Sequence, residues 1–530
     1  MYSYEWDDET GGLFLNSTPL SFSKEPRPVY YKELDLLGFD KYWNYEKDDT
    51  YPYMWAESNN YWYRGRKVAR TKGGSVYCAP EVTILEEPEP DNAPLRFVDV
   101  PRMVEKNKDL LDSLVQNTIA SVFETYAKNK DKIDAFYVAF SGGKDSMVTF
   151  DIVQKTLPHD KFKVLFGDTG MEFPDTYKTV EVVEEICRKK GIEFIRAASD
   201  YTPEETWKLF GPPASVIRWC CGVHKTAPQV LSLRKVTGKT NFTGMAFIGI
   251  RASESLSRSN YDYLSVGTKH KGQYACNPIL EWNSAELYLY IFAEDLYLNE
   301  AYKKGSSRAG CLVCPKASQK SGYMTRANYT EEFDAYIDTL KEAYKNRFES
   351  DNKLKEFIDN GGWKARKSGR DIDVPLNYIE ILDEGLHTIK ITEPRTSWKE
   401  WIKTIGVLLN EESPYKILFR GKVHEVEIEE IGDTIEVTFD ETTRRKNASF
   451  YKLLKNVFRK AACCVQCHEC EADCHNGCMT MEGGRVEISN DCVHCSQCHN
   501  VQKGCLVYKS LEKPKGFYKK QSDNQEVENE

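Results

Sequence analysis

Residues 135–146 read Ala-Phe-Tyr-Val-Ala-Phe-Ser-Gly-Gly-Lys-Asp-Ser, and this stretch decides the fold. Its first six residues are an apolar run of strand length, and residues 146–156 carry a helical pattern directly after the loop. A loop between a buried strand and a helix start presents unbonded backbone amides and the positive end of the helix dipole to an anion. Gly142 and Gly143 let the backbone approach phosphate oxygens closely, and Lys144 adds a point charge. The spacing is not that of a Walker A loop, which puts four residues between its first glycine and Gly-Lys.

Outward from this loop, strand and helix patterns alternate. Residues 163–166, 193–196 and 246–250 read as strands and 176–190 as a helix, with a further helical stretch over 104–129. This order predicts an α/β fold built on a doubly wound parallel sheet, with its ligand beyond the carboxyl ends of the strands. Residues 1–100 are crowded with Tyr and Trp and predict a strand-rich N-terminal domain, with strand-like runs at 61–63 and 75–78. Such an aromatic cluster serves either as core packing, the commoner use, or as a base-stacking platform. Further segments are expected at 101–325 (the nucleotide-binding sheet), 326–392 (a charged helical extension) and 393–460 (a small α+β domain). A cysteine-rich domain at 461–510 and a disordered polar tail at 511–530 complete the division.

A chain of 530 residues exceeds one ordinary core. Its 41% hydrophobic and 29% charged residues suit a soluble globular protein, and no apolar run approaches the ~20 residues that cross a bilayer. The acidic, aromatic start lacks the basic and apolar regions of an export signal, so a cytoplasmic location without a membrane partner is expected. A net charge of −9 argues against a whole surface that binds nucleic acid, but leaves a local basic channel open. Seventeen cysteines in a large chain of this kind point to metal rather than disulfides, and ten of them fall between Cys463 and Cys505.

Further motifs follow the loop in order. They are Asp168-Thr169-Gly170 with Glu172–Thr176, Arg218-Trp219-Cys220-Cys221 with His224-Lys225, Gly249-Ile250-Arg251 with Glu254 and Arg258, and a closing segment through Asn299, Tyr302, Arg308 and Cys311. Together they resemble the phosphoadenosine-phosphosulfate reductase family of the PP-loop, or nucleotide α-hydrolase, superfamily. The resemblance implies that Ser141, Gly142, Gly143, Lys144, Asp145, Ser146, Asp168, Gly249, Arg251 and Arg258 bind ATP or another adenine nucleotide. It implies catalytic roles for Lys144, Asp145, Lys225 and Arg308. By residue type, Lys225, Arg251, Arg258 and Arg308 suit phosphate or sulfate oxygens. Asp145 and Asp168 could hold Mg²⁺ or cap helix N-termini.

Cys220-Cys221 and Cys311-x2-Cys314 make four thiolates in two pairs, a set for zinc or an iron–sulfur cluster. Adjacent ligands are awkward for zinc, and the arrangement resembles the tandem-cysteine [4Fe–4S] site of the adenylylsulfate-reducing branch. Cys464-x2-Cys467-x2-Cys470-x3-Cys474 reproduces bacterial ferredoxin spacing, and Cys492-x2-Cys495-x2-Cys498 with Cys505 follows. Resemblance to two-cluster ferredoxins implies one [4Fe–4S] on Cys464, Cys467, Cys470 and Cys505 and another on Cys474, Cys492, Cys495 and Cys498. Cys463 and Cys478 are left over as spare thiols or alternative ligands. Cys78, Cys187 and Cys276 are expected as plain buried residues, and His468, His475, His494 and His499 as solvent-facing spacers.

Two enzymatic readings follow from the resemblance. One is a sulfonucleotide reductase or sulfurtransferase acting on phosphoadenylyl sulfate or adenylyl sulfate, its electron donor acting through the fused ferredoxin module. The family's reductases carry a C-terminal Glu-Cys-Gly segment that this sequence does not match, and they typically have a degenerate loop. ATP-cleaving relatives keep Ser-Gly-Gly-Lys-Asp-Ser complete. The alternative is therefore an ATP pyrophosphatase that adenylates DNA or RNA for sulfur insertion, with a sulfur-donor protein as partner. A third reading keeps nucleotide and clusters for sensing or assembly alone.

Overall fold

The computed structural model of the chain describes residues 1–19, 23–256, 258–266, 272–372 and 374–513; the expected tail lies outside the described residues from position 514 on. The chain folds as two compact units, larger than the segments expected from the sequence. The first holds Met1–Ala197, Lys235–Thr237 and Phe242–Tyr336, and the second holds Ala198–Arg234, Gly238–Asn241 and the described residues from Ile337 on.

In the first unit, helix α1 (Val100–Asn129) starts on Asp99, whose side chain accepts from the Arg102 N–H, with Pro101 in the first turn. Strand β1 (Ala135–Phe140) leads through the loop into α2 (Lys144–Thr156). Then come β2 (Lys163–Asp168), α3 (Pro174–Lys190), β3 (Glu193–Ala198), β4 (Gly244–Ile248), β5 (Leu264–Val266) and β6 (Gln273–Cys276). The strand order is β3-β2-β1-β4-β6-β5. β1 runs parallel to β2 and β4, β4 runs parallel to β6, and β5 is an antiparallel edge. Connections leave β1 and β4 in opposite directions across the sheet, so the topological switch point lies between them. The α/β class with a parallel sheet is thus present, and the loop stands at the carboxyl end of β1.

The strand-rich start forms a two-stranded pair, Tyr2–Asp7 with Gly12–Pro19, and a five-stranded antiparallel sheet from Arg27–Val29 to Glu81–Ile84. Its aromatics are packing: Phe39 stacks on Trp43 at 4.9 Å, and Leu13, Leu15, Tyr30 and Trp55 join the core of Val138, Phe140, Phe247 and Tyr288. These strands share a core with the parallel sheet because each has one apolar face to bury. Residues 75–78 correct the expected strand there. Gly73 and Gly74 take φ of 71° and 93°, and the Ser75 N–H donates to the Cys78 carbonyl at 2.9 Å, closing a turn. Cys78 is exposed, against the expected burial, whereas Cys187 and Cys276 are buried.

In the second unit a six-stranded antiparallel sheet runs in the order Tyr378–Asp383, Leu386–Thr392, Thr434–Asp440, Lys422–Ile431, Tyr415–Phe419, Val407–Leu408. Its first two strands correct the helical extension expected to reach residue 392. Helices do form at Thr330–Tyr344 and Asp351–Asp359. Residues 378–392 instead form a hairpin, since residues 386–392 alternate in burial and the turn residues Glu384 and Gly385 have φ of 44° and 84°. Helix α4 (Ala448–Cys463) buries Leu454, Val457, Phe458 and Ala461 and leads straight into Cys464. Glu380 holds it by accepting from Lys455 Nζ at 2.7 Å and Arg459 Nη2 at 2.5 Å. No described helix is long and apolar enough to cross a membrane.

Candidate functional site

The loop closes on itself through Ser146, whose Oγ accepts from the Ser141 N–H at 3.2 Å and donates to the Gly143 carbonyl at 2.9 Å. Gly142 has φ 70°, and its carbonyl accepts from Asn299 Nδ2 at 2.9 Å. A Cβ there would stand 2.6 Å from Thr176 Cγ2. At Gly249, just past β4, a Cβ would stand 2.6 Å from the Asp145 carbonyl carbon and oxygen, so only glycine lets this strand end pass the start of α2. No side chain caps α2 at Gly143, and the Lys144 N–H donates to the Tyr302 hydroxyl at 3.1 Å.

Charge converges on Asp145. Buried Lys144 places Nζ 2.8 Å from Asp145 Oδ2, and Arg251, 1% exposed, places Nε 2.6 Å from Oδ1. Arg251 also donates from Nη1 to Glu25 Oε2 at 2.5 Å. Burial alone would raise the Asp145 pKa, but the charges of Lys144 and Arg251 overcome it and hold the carboxyl well below its ordinary range. The Arg258 guanidinium, paired with Glu254, is shifted down first by burial and then by repulsion from Arg308; it also feels Asp145 and Arg251. Lys144 and Arg251 therefore hold Asp145 directly, and Arg258 lies close enough to feel Asp145, Arg251 and Arg308. Asp168 ends β2 and accepts from the Gly170 N–H and the Tyr177 hydroxyl, both at 3.0 Å, while its Oδ2 faces Arg196 Nε at 3.1 Å. Neither aspartate caps a helix, which removes that alternative: Asp145 lies inside the first turn of α2, and Asp168 closes a local turn. Glu25 escaped sequence reading because its partner lies 226 residues away and no local pattern marks it.

Cys311 and Cys314 belong to the first unit, where Cys311 bridges Glu172 and its Sγ lies 3.9 Å from Thr169 Oγ1. Cys220 and Cys221 belong to the second, in a helical run from Trp219 that passes through a π-helical turn at Gly222–Thr226. That turn carries Lys225 and buried His224, whose Nε2 pairs with Thr206 Oγ1 at 2.8 Å; burial pushes the imidazole pKa down to about 4. The same segment is fixed to the cysteine arrays. Gly222 lies against Glu469, and Arg234 donates to the carbonyls of Glu471 and Ala472 at 2.8 Å and of Cys474 at 3.0 Å.

Cys464, Cys467, Cys470 and Cys505 line one cavity, together with Lys460 and Trp401. In a second group Cys492 feels the charge of Cys474 and Cys495, and Cys498 feels Cys470 of the first group as well as Cys492 and Cys474. Cys463 adjoins Cys505 and Cys464, and Cys478 adjoins Cys474 and Cys492, both buried. The two cysteine loops share a backbone pattern: residues two and four positions after Cys464 and Cys492 are left-handed, with φ of 56° and 60° at Gln466 and His468 and of 53° and 62° at His494 and Ser496. This turn aims the Gln466 N–H at Cys464 Sγ, 3.4 Å away. Among the described residues no three His, Cys, Asp or Glu side chains converge on a single-ion position. His499, expected at the surface, is buried with Nε2 2.7 Å from Thr404 Oγ1, and His468 sits between Asp200 at 3.0 Å and Glu471 at 2.7 Å.

A glycine loop at the switch point of a parallel sheet is a place where such folds bind nucleotide phosphates. Residues 135–317 match the phosphoadenosine phosphosulfate reductase domain. The chain is 34% identical over 264 residues to an uncharacterised protein of Methanocaldococcus jannaschii, a match covering 49% of this chain and 52% of that protein. It thus spans about half the length of that relative. It is 28% identical over 196 residues to an adenosine 5'-phosphosulfate reductase of Geobacillus sp. (strain WCH70), covering 36% of this chain and 76% of that one. A crystal structure of a phosphoadenylyl-sulfate reductase from Candida auris matches with a TM-score of 0.29 at 20% identity, over 38% of this chain and 93% of the other.

Proposed function

We propose that the chain is an iron–sulfur enzyme that acts on the sulfur of an adenylylated species, phosphoadenylyl sulfate or adenylyl sulfate, with electrons passing through its own cysteine arrays. The observation that carries this reading is the pairing of Lys144 and Arg251 on Asp145 at the start of α2, with Arg258 close enough to feel Asp145, Arg251 and Arg308. Backbone amides of the loop and Lys144 bind the nucleotide phosphate, and the three arginines orient sulfate or phosphate oxygens with paired donors. Lys225 adds a further cation by resemblance to the family. Mg²⁺ at Asp145 or Asp168 would have to replace Lys144, Arg251 or Arg196 as a partner.

Four thiols that line one cavity, and a second loop with the same Cys-x2-Cys-x2-Cys spacing, support clusters rather than zinc by their likeness to two-cluster ferredoxins. Bound [4Fe–4S] clusters would supply electrons one at a time. A third set of Cys220, Cys221, Cys311 and Cys314 rests on spacing and family resemblance. Breaking the S–O bond of the sulfonucleotide takes two electrons; sulfite leaves with the sulfur, and the nucleotide phosphate keeps the bridging oxygen. A cytoplasmic setting, where thiols stay reduced, suits this chemistry.

The complete Ser-Gly-Gly-Lys-Asp-Ser loop favours a second reading, an ATP pyrophosphatase that adenylates a DNA or RNA acceptor for sulfur supplied by a donor protein. One comparison separates the two. The anaerobically reconstituted chain is offered either sulfonucleotide with a reductant, or ATP with and without nucleic acid. Sulfite without pyrophosphate is expected; pyrophosphate from ATP without sulfite from either sulfonucleotide would overturn the reductase reading in favour of the second.

A further inference from the structure

Lys460 is fully buried, on the last turn of α4, one turn before Cys464. Its Nζ lies 2.7 Å from Cys470 Sγ and 4.7 Å from the centre of the Trp401 ring. It lines the cavity of Cys464, Cys467, Cys470 and Cys505, and the helical turn Glu469–Ala472 that carries its partner Cys470 packs against the turn Gln497–His499 that carries Cys498, on which the Lys460 charge also acts. Asp473 and His499 feel the same charge. A lysine with no access to water between two thiol groups is costly to bury unless negative charge surrounds it.

We propose that Lys460 is the counter-cation shared by the two cluster sites, keeping both potentials high enough for the module to hold two electrons at once. This deepens the iron–sulfur reading above and rests on it. Each reduction adds one negative charge to a cluster, and in a low-dielectric interior the first electron raises the cost of the second. A fixed positive charge facing both groups offsets that repulsion. Cleavage of a sulfonucleotide S–O bond consumes an electron pair, so a module that stores both electrons can deliver them without waiting for a second donor encounter. The role is a positioning one, in that Lys460 acts on the clusters' energies and touches no substrate.

The test is a potentiometric EPR titration of the full reconstituted chain, with iron and sulfide content measured in parallel. Lys460→Met should disfavour reduction of both C-terminal clusters at least tenfold, a shift of about 59 mV per one-electron couple. The split signal of the doubly reduced module should then disappear at potentials where the wild type shows it. Lys460→Arg, which keeps the charge, should stay near wild type. If the Met variant loads poorly, uncharged Lys460→Gln replaces it, and loading that survives only with Arg reports the same charge requirement. A loaded Met or Gln variant with wild-type potentials overturns the Lys460 role alone. A wild-type chain that takes up no iron and sulfide overturns the cluster reading, and the Lys460 role with it.

Discussion

In the nucleotide loop the backbone makes its left-handed turn on Gly142, whereas the cysteine loops make theirs on Gln466, His468, His494 and Ser496. The reason lies in what surrounds each turn. A side chain on Gly142 would meet Thr176, and one on Gly249 would meet the backbone of Asp145, so packing from distant elements forbids a Cβ. In the cysteine loops the corresponding side chains are half-buried or exposed, and the chain tolerates the intrinsic cost of the conformation. Charge is arranged in opposite senses as well. Around Asp145 several cations enclose one carboxylate, while around Lys460 several thiols enclose one cation. On the function proposed above, the first arrangement would receive an anion, and the second would face a resident group whose negative charge grows on reduction.

The sharpest break of this comparison is Arg251→Met. Removing the guanidinium leaves Asp145 with Lys144 alone and takes the Nη1 donor from Glu25, and a loss of about 3 kcal/mol is expected. Chemical denaturation followed by a probe in the first unit, with nucleotide affinity measured alongside, checks it. On the cysteine side, Glu380 anchors the helix that carries Lys460. Burial alone would raise its pKa, but Arg459 and Lys455 hold it at about 2. A depressed carboxylate contributes stability above its ordinary pKa near 4.3 and loses it as pH falls to about 2. The second unit should therefore lose about 2–3 kcal/mol across that window, and Glu380→Gln should flatten the dependence in acid titrations of thermal stability. Gly249→Ala should cost about 1–3 kcal/mol and weaken nucleotide binding, because backbone rather than a movable side chain blocks the new methyl. Gln466→Gly should do the reverse, leaving stability unchanged or raised by up to about 1 kcal/mol, as read by the melting temperature of the reconstituted chain. Equal losses at Gly249 and Gln466 would erase the distinction drawn between the two turns.

Much of the parallel sheet was legible because its strands are short apolar runs and its loop is a contiguous hexapeptide. The hairpin at 378–392 escaped because a charged surface pattern masked a period of two, and its Glu384-Gly385 turn lacks the Asn or Asp that usually marks one. Cys464, Cys467 and Cys470 share one cavity as their close spacing suggests, whereas Cys505 joins them from a distant stretch of the chain. Burial of His499 was not legible, because its partner Thr404 lies 95 residues away.

By itself the sequence determined the strand–loop–helix unit at 135–156, the glycines that open it and the division of the C-terminal cysteines into two repeated loops. These depend on local backbone geometry and on neighbours a few residues apart. Only the tertiary structure decided that Arg251 links Glu25 to Asp145, that the segment of Cys220 and Cys221 is fixed to the cysteine arrays, and that buried Lys460 meets Cys470. Such buried charges find their partners only when distant segments pack, because the partners' positions are set by the fold rather than by spacing along the chain.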